Sequence, residues 1–146
     1  MIALGSDHAG YELKKEIIKY LEEKGLQYKD YGTFSSESVD YPVYGEKAAR
    51  AVAAGECEKG ILVCGTGVGI GIAANKVRGI RCASVSDTFS AEMARRHNDA
   101  NMVAVGARVV GVGLALKIIE TFLETPNEGG RHAKRVSLIM DIENRK

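Results

Sequence analysis

Short runs that are apolar throughout alternate along the chain with longer stretches whose apolar side chains recur every three or four positions. The first run, residues 2–5 (IALG), ends in the turn-like SDHAG. Residues 11–24 follow, with Leu13, Ile17, Ile18 and Leu21 on one face, Lys and Glu on the other, and Gly25 as a stop. That spacing predicts an amphipathic helix. Residues 26–32 (LQYKDYG) read as a strand ahead of the polar TFSSES. Asp40, Tyr41 and Pro42 then open a helix, proline being tolerated in the first turn, and an alanine-rich stretch carries it to Ala54, before Gly55.

The alternation continues. Residues 60–64 (GILVC) form a buried-strand candidate, followed by GTGVGIG and the helical IAANK. Residues 80–86 (IRCASVS) read as a strand, and Asp87 suits the N-cap of TFSAEMARRHN. Residues 102–106 (MVAVG) are a further strand. Residues 112–123 form a helix with Leu116, Ile119, Phe122 and Leu123 in period, and a terminal helix from Arg131 to about Glu143 places Ala133, Val136 and Met140 on one stripe. Apolar strands separated by helices predict a parallel sheet covered on both faces. The expected architecture is one doubly wound α/β domain over residues 1–146, with helices on both faces and a C-terminal helix. In such sheets ligands bind at the carboxyl ends of the strands. That rule selects the loops Ser6–Gly10, Gly65–Gly71 and Ser86–Asp87, and the segment after Gly106.

Composition narrows the function. The chain has 146 residues, 45% hydrophobic and 27% charged, as in a soluble globular protein of one domain. Lys and Arg number 20 against 19 acidic residues, a net charge of +1, which removes the electrostatic warrant for nucleic acid or an anionic membrane. A local basic pocket stays open. The three cysteines, Cys57, Cys64 and Cys82, are odd in number and far apart, which predicts a reducing cytoplasm rather than a disulfide framework. MIALGSDHAG has no basic region followed by a long apolar run, so no signal peptide is expected, and no apolar stretch approaches the roughly 18 residues of a membrane span.

The segment Gly65-Thr66-Gly67-Val68-Gly69-Ile70-Gly71 leads from a strand into a helix. Its glycines let backbone N–H groups approach a ligand, and the helix N-terminus adds partial positive charge, which suits an anion or a developing oxyanion. It is not the GxGxxG dinucleotide fingerprint, since Ile70 stands where the last glycine belongs, nor a Walker A loop, since Lys76 follows Asn75. A bare glycine-rich turn is the competing account. Cys64, just before it, is either a buried small hydrophobe or a thiol activated by the helix terminus. Cys57 and Cys82 receive no role.

Asp7 and His8 lie in the first strand-to-helix loop, where polar groups can face a ligand. His97, beside Asn98, ends a helix and could simply cap it. Arg131 and Arg135, either side of His132 in GGRHAKR, stand at i and i+4 on one face. They read as a solvated basic surface or as a phosphate clamp that Arg108 could join.

With these blocks assembled, GSDHAGYELK, ESVDYP, GILVCGTGVGIGIAANK, GIR, RRHNDANMVAVGAR and EGGRHAKRV, the chain resembles the ribose-5-phosphate isomerase B family of sugar-phosphate isomerases from residue 1 to about 140. The resemblance implies a Rossmann-like fold and interconversion of D-ribose 5-phosphate and D-ribulose 5-phosphate without metal or nucleotide cofactor. It also implies a homodimer, or a dimer of dimers, with the active site at the subunit interface. By that resemblance Cys64 is the base moving a proton between C1 and C2, and Gly65, Thr66, Gly67, Gly69 and Gly71 match the loop that stabilises the enediolate. His97, assisted by Thr66, matches the group that opens the sugar ring. Asp7, Tyr41 and Asn98 match sugar contacts, and His8, Arg108, Arg131 and Arg135 the phosphate set, part of it from the partner subunit.

Two positions depart from the family pattern: Gly71, where relatives often carry Ser or another small residue, and Asn127, where many have an aromatic before EGGRH. The competing substrates are hexose 6-phosphates, those of allose or galactose. A non-catalytic phosphate- or nucleotide-binding module, with Asp87 as its ribose-binding acid, is the alternative of another class.

Overall fold

Along β3 (Lys59–Cys64), Ile61 and Val63 pack into one hydrophobic cluster and Leu62 and Cys64 into another. β1 (Ile2–Ser6) and β5 (Met102–Gly106) divide their side chains in the same way. A strand buried on both faces needs helices on both, and the computed structural model, which describes residues 1–145, supplies them. Five parallel strands run in the order β2-β1-β3-β5-β4, with β2 (Tyr28–Asp30) and β4 (Cys82–Ser84) at the edges. α1 (Tyr11–Glu23), α4 (Thr88–Arg96) and α5 (Val112–Glu124) contribute to the first cluster, around Ile17, Phe122 and Ile119. α2 (Tyr41–Ala53) and α3 (Val68–Asn75) supply Ala48, Val52 and Ile70 to the second. The expected doubly wound parallel sheet is the fold observed.

The edge strands are shorter than their sequence pattern. Residues 26–32 and 80–86 contract to Tyr28–Asp30 and Cys82–Ser84, since each edge strand has one partner and pairs only over the register Ile2↔Tyr28 to Leu4↔Asp30, or Cys82↔Met102 to Ser84↔Ala104. Neither is buried throughout.

The terminal helix α6 (Arg131–Ile142) forms as expected, but only His132 is buried along it. The stripe of Ala133, Val136 and Met140 is therefore not a core face, because α6 lies outside both layers. Arg78 tethers its far end, donating to the Glu143 carbonyl and to Asn144 Oδ1 at 2.7 and 2.6 Å. Leu138, Ile139 and Ile142 are exposed. No helix among the described residues is long and apolar enough to cross a membrane.

Candidate active site

The sheet changes direction between β1 and β3. The chain leaves β1 towards β2 and leaves β3 towards β4, so the crevice beyond their carboxyl ends is the place where a doubly wound sheet takes a ligand. Asp7 follows β1 and is nearly buried; its carboxylate accepts the Gly10 N–H at 3.0 Å and thereby starts α1. Gly10 presses on β3, where a Cβ would lie 2.5 Å from the Val63 carbonyl oxygen. His8 Nδ1 accepts the Val39 N–H at 3.1 Å, which leaves Nε2 as the protonated nitrogen of the neutral ring.

Cys64 ends β3 beside Gly106 of β5 and is 4% exposed. Its sulfur accepts the Gly67 N–H at 3.1 Å. Gly67 has φ +78°, the left-handed conformation that glycine adopts at little cost, and a Cβ there would lie 2.7 Å from the Val105 carbonyl carbon. Thr66 is exposed, and its hydroxyl oxygen accepts the Val68 N–H at 3.2 Å. Arg108 leans over Gly65, donating its N–H to the Gly65 carbonyl at 3.0 Å while its guanidinium covers the side where a Cβ would stand.

The glycine segment is shorter as a loop than the sequence suggests. α3 begins at Val68, so Gly69 and Gly71 are helical. Their neighbours explain the missing side chains: a Cβ on Gly69 would lie 2.6 Å from the Tyr41 ring, and one on Gly71 would collide with the Ser84 hydroxyl. The first turn of α3 leaves the Gly69 and Ile70 N–H groups without intrahelical partners, at the positive end of the helix dipole.

His97 and Asn98 lie elsewhere. α4 leaves the carboxyl end of β4 and runs back for nine residues, about 13 Å, so His97 at its C-cap stands at the edge of the sheet where strands begin. There the His97 ring stacks on His132, with centroids 4.1 Å apart and planes 9° from parallel. His132 Nε2 lies 3.6 Å from a Glu128 carboxylate oxygen. Desolvation and the neighbouring His97, with Arg131 and Arg135, lower the His132 pKa against the opposing pull of Glu128. Ligand atoms of His97, Glu128 and His132 gather within 4.8 Å of one another, yet parallel stacked rings cannot both aim an in-plane lone pair at one ion. As arranged, they do not form a metal site.

The turn that follows is held firmly. Asp99 has φ +43°, unusual for a residue with a side chain, and Arg95 Nη1 binds its carboxylate at 2.9 Å while Arg81 Nη2 donates to its carbonyl at 2.7 Å. Asn127 Nδ2 reaches Asp99 Oδ1 at 3.5 Å, on the rim of a 110 Å³ pocket shared with His97 and His132. Arg131 and Arg135 are exposed on the first turns of α6, either side of His132.

The chain thus brings Asp7, His8, Tyr41, Cys64, Gly65, Thr66, Gly67, Gly69, Gly71 and Arg108 to one end of the sheet, and His97, Asn98, Arg131 and Arg135 to the other. No hydrogen bond or ion pair joins the two sets among the described residues. Ser84, Glu128, Asp99 and Lys14 were not singled out from sequence. Lys14 had a signal: it falls in register with Ile17 and Leu21 on the apolar side of α1, and it is indeed 1% exposed, paired with Asp30 at 2.8 Å.

The chain as a whole is similar to known proteins. The family model described as Ribose/Galactose Isomerase matches residues 2–139. The chain is 52% identical over 145 residues to ribose-5-phosphate isomerase B of Escherichia coli K12, covering 99% of this chain and 97% of that protein. Its structure is similar to that of the Clostridium thermocellum ribose-5-phosphate isomerase B, with TM-score 0.97, 55% identity and coverage of 98% and 97% of the two chains. The Mycoplasma genitalium ribose-5-phosphate isomerase B, solved with bound ribulose 5-phosphate, superposes with TM-score 0.95 at 37% identity, covering 99% of this chain and 97% of that one.

Proposed function

The chain belongs to the ribose/galactose isomerase family, and from that premise we propose that it is an aldose–ketose isomerase interconverting D-ribose 5-phosphate and D-ribulose 5-phosphate. The observation that carries the proposal is Cys64, a nearly buried thiol at the carboxyl end of a central strand whose sulfur accepts an amide N–H at 3.1 Å. An N–H aimed at sulfur is a fitting partner for a thiolate, the form that can take a proton from carbon.

In this scheme Cys64 removes the C2 proton of the open-chain aldose. The electron pair moves into the C1–C2 bond and onto O1, giving the enediolate. The proton returns to C1 while another passes from O2 to O1, which leaves the ketose. The segment from Gly65 to Gly69 offers N–H groups to the enediolate oxygens, and Gly71 serves it by spacing. His97, assisted by Thr66, opens the sugar ring. Asp7, Tyr41 and Asn98 contact the sugar, and His8, Arg108, Arg131 and Arg135 hold the phosphate. Each proton has a protein group or a substrate oxygen to carry it, so the scheme invokes no cofactor.

Because the two sets of residues lie at opposite ends of the sheet, a complete site takes the Cys64 set from one chain and the His97 set from another. A homodimer, or a dimer of dimers, satisfies this. The exposed Leu138, Ile139 and Ile142 of α6 support an assembly that covers them. Three free cysteines suit the reducing cytoplasm.

The test is Cys64→Ala with ribose 5-phosphate as substrate. The variant is expected to fold, bind sugar phosphate and lose most turnover; parent-level turnover would remove Cys64 as the base. Rates on allose 6-phosphate and galactose 6-phosphate, measured in parallel, check the substrate. A large preference for either hexose would replace ribose 5-phosphate and leave the reaction type standing.

A further inference from the structure

Ser84 is the last residue of the edge strand β4, and its hydroxyl donates to the Gly67 carbonyl at 2.8 Å. Gly67 is also the residue whose N–H points at the Cys64 sulfur at 3.1 Å. Glycine has the widest choice of backbone conformations, so a hold on the Gly67 carbonyl restricts the pose that turns its N–H to the sulfur. On one side of Gly67, Val105 limits the space; on the other, Ser84 holds the carbonyl. Gly71 makes this possible. A Cβ there would run into the Ser84 hydroxyl, while its next neighbours, Ala104 Cβ and Ser84 Cβ, stand at an ordinary 3.5 and 3.6 Å.

We infer that Ser84 is a positioning residue for the base: it locks Gly67 so that its N–H stays aimed at the Cys64 sulfur, across a gap that Gly71 keeps open. The inference rests on Cys64 being the base. It also couples positions 71 and 84. A serine in a helix can donate to the carbonyl four residues earlier, and from position 71 that carbonyl belongs to Gly67. The same bond can therefore be made from β4, with glycine at 71, or from α3, once the Ser84 hydroxyl is gone.

The experiment compares the parent with S84A, the double variant S84A/G71S and C64A, all assayed on ribose 5-phosphate. Ser84 is exposed, so S84A is expected to melt within a few degrees of the parent. Its kcat is expected to fall roughly three- to tenfold, with KM within about twofold, since one hydrogen bond acting on the base rather than on the substrate is lost. The double variant is expected to regain most of the lost kcat. Parent-level kcat in S84A, a rise in KM alone, or a double variant no faster than S84A would each overturn the inference. If C64A loses turnover while S84A does not, only the role of Ser84 fails; if C64A turns over at the parent rate, the base and this inference fail together.

Discussion

The imidazole of His97 lies flat on that of His132, 4.1 Å between centroids, and two rings so placed do not favour carrying a proton each. His132 is the member pushed towards neutrality, by desolvation first and by His97 next. Its folded pKa lies below the ordinary 6.5, so as pH falls through that window the unfolded chain binds the proton first and stability declines. We expect His132→Asn to reduce the loss of melting temperature between about pH 7.5 and about pH 5.5. An unchanged pH slope in the variant would show that other groups govern it.

The separation of Cys64 from His97 in one chain gives a complementation test. C64A and H97A are each expected to be inactive as homo-oligomers. In randomly mixed dimers, half the molecules are hybrids and one of their two sites is intact, so co-expression should restore about a quarter of the parent activity. Activity that stays at the level of the separate variants would place Cys64 and His97 in the same chain's site.

Gly67→Ala combines a left-handed backbone with a Cβ 2.7 Å from the Val105 carbonyl carbon. The conformation alone costs about 1–2 kcal/mol, and the overlap adds to it. Thermal unfolding is expected to show the loss, together with reduced turnover because the N–H that faces Cys64 is displaced.

The buried Lys14 amine is held by the Asp30 carboxylate at 2.8 Å and by the Thr33 carbonyl. Asp30 is partly exposed, and it also accepts the Gly32 N–H at 2.8 Å. Removing the carboxylate strands a buried cation, whereas removing the lysine leaves an anion that water can reach. Denaturant titration should therefore find Asp30→Ala more destabilising than Lys14→Met, with the former costing about 2 kcal/mol or more. The reverse order would mean that packing of the lysine stem dominates.

Apolar pattern together with capping and stop residues located every helix and all five strands, because burial and chain reversal leave a mark on each local stretch. It overran at β2 and β4, where the mark is set by how far a neighbouring strand extends. The glycines of GTGVGIG read from sequence either as room for a ligand or as a bare turn, and Tyr41 and Ser84 occupy the space beside Gly69 and Gly71. A glycine kept small by a side chain distant in sequence looks like one kept small by a substrate.

The parallel sheet, the strand ends at which Asp7, His8 and Cys64 stand, and the chemical types gathered around them are all legible in the residues. Those follow from local pattern and from the residues' own chemistry. It takes the packed chain to set His97, Asn98, Arg131 and Arg135 at the far end of the sheet, to bury Lys14 against Asp30, and to bring Ser84 to Gly67. These are relations between segments far apart in the chain. They depend on strand order, and on the length and direction of α4, which carries His97 about 13 Å back across the sheet.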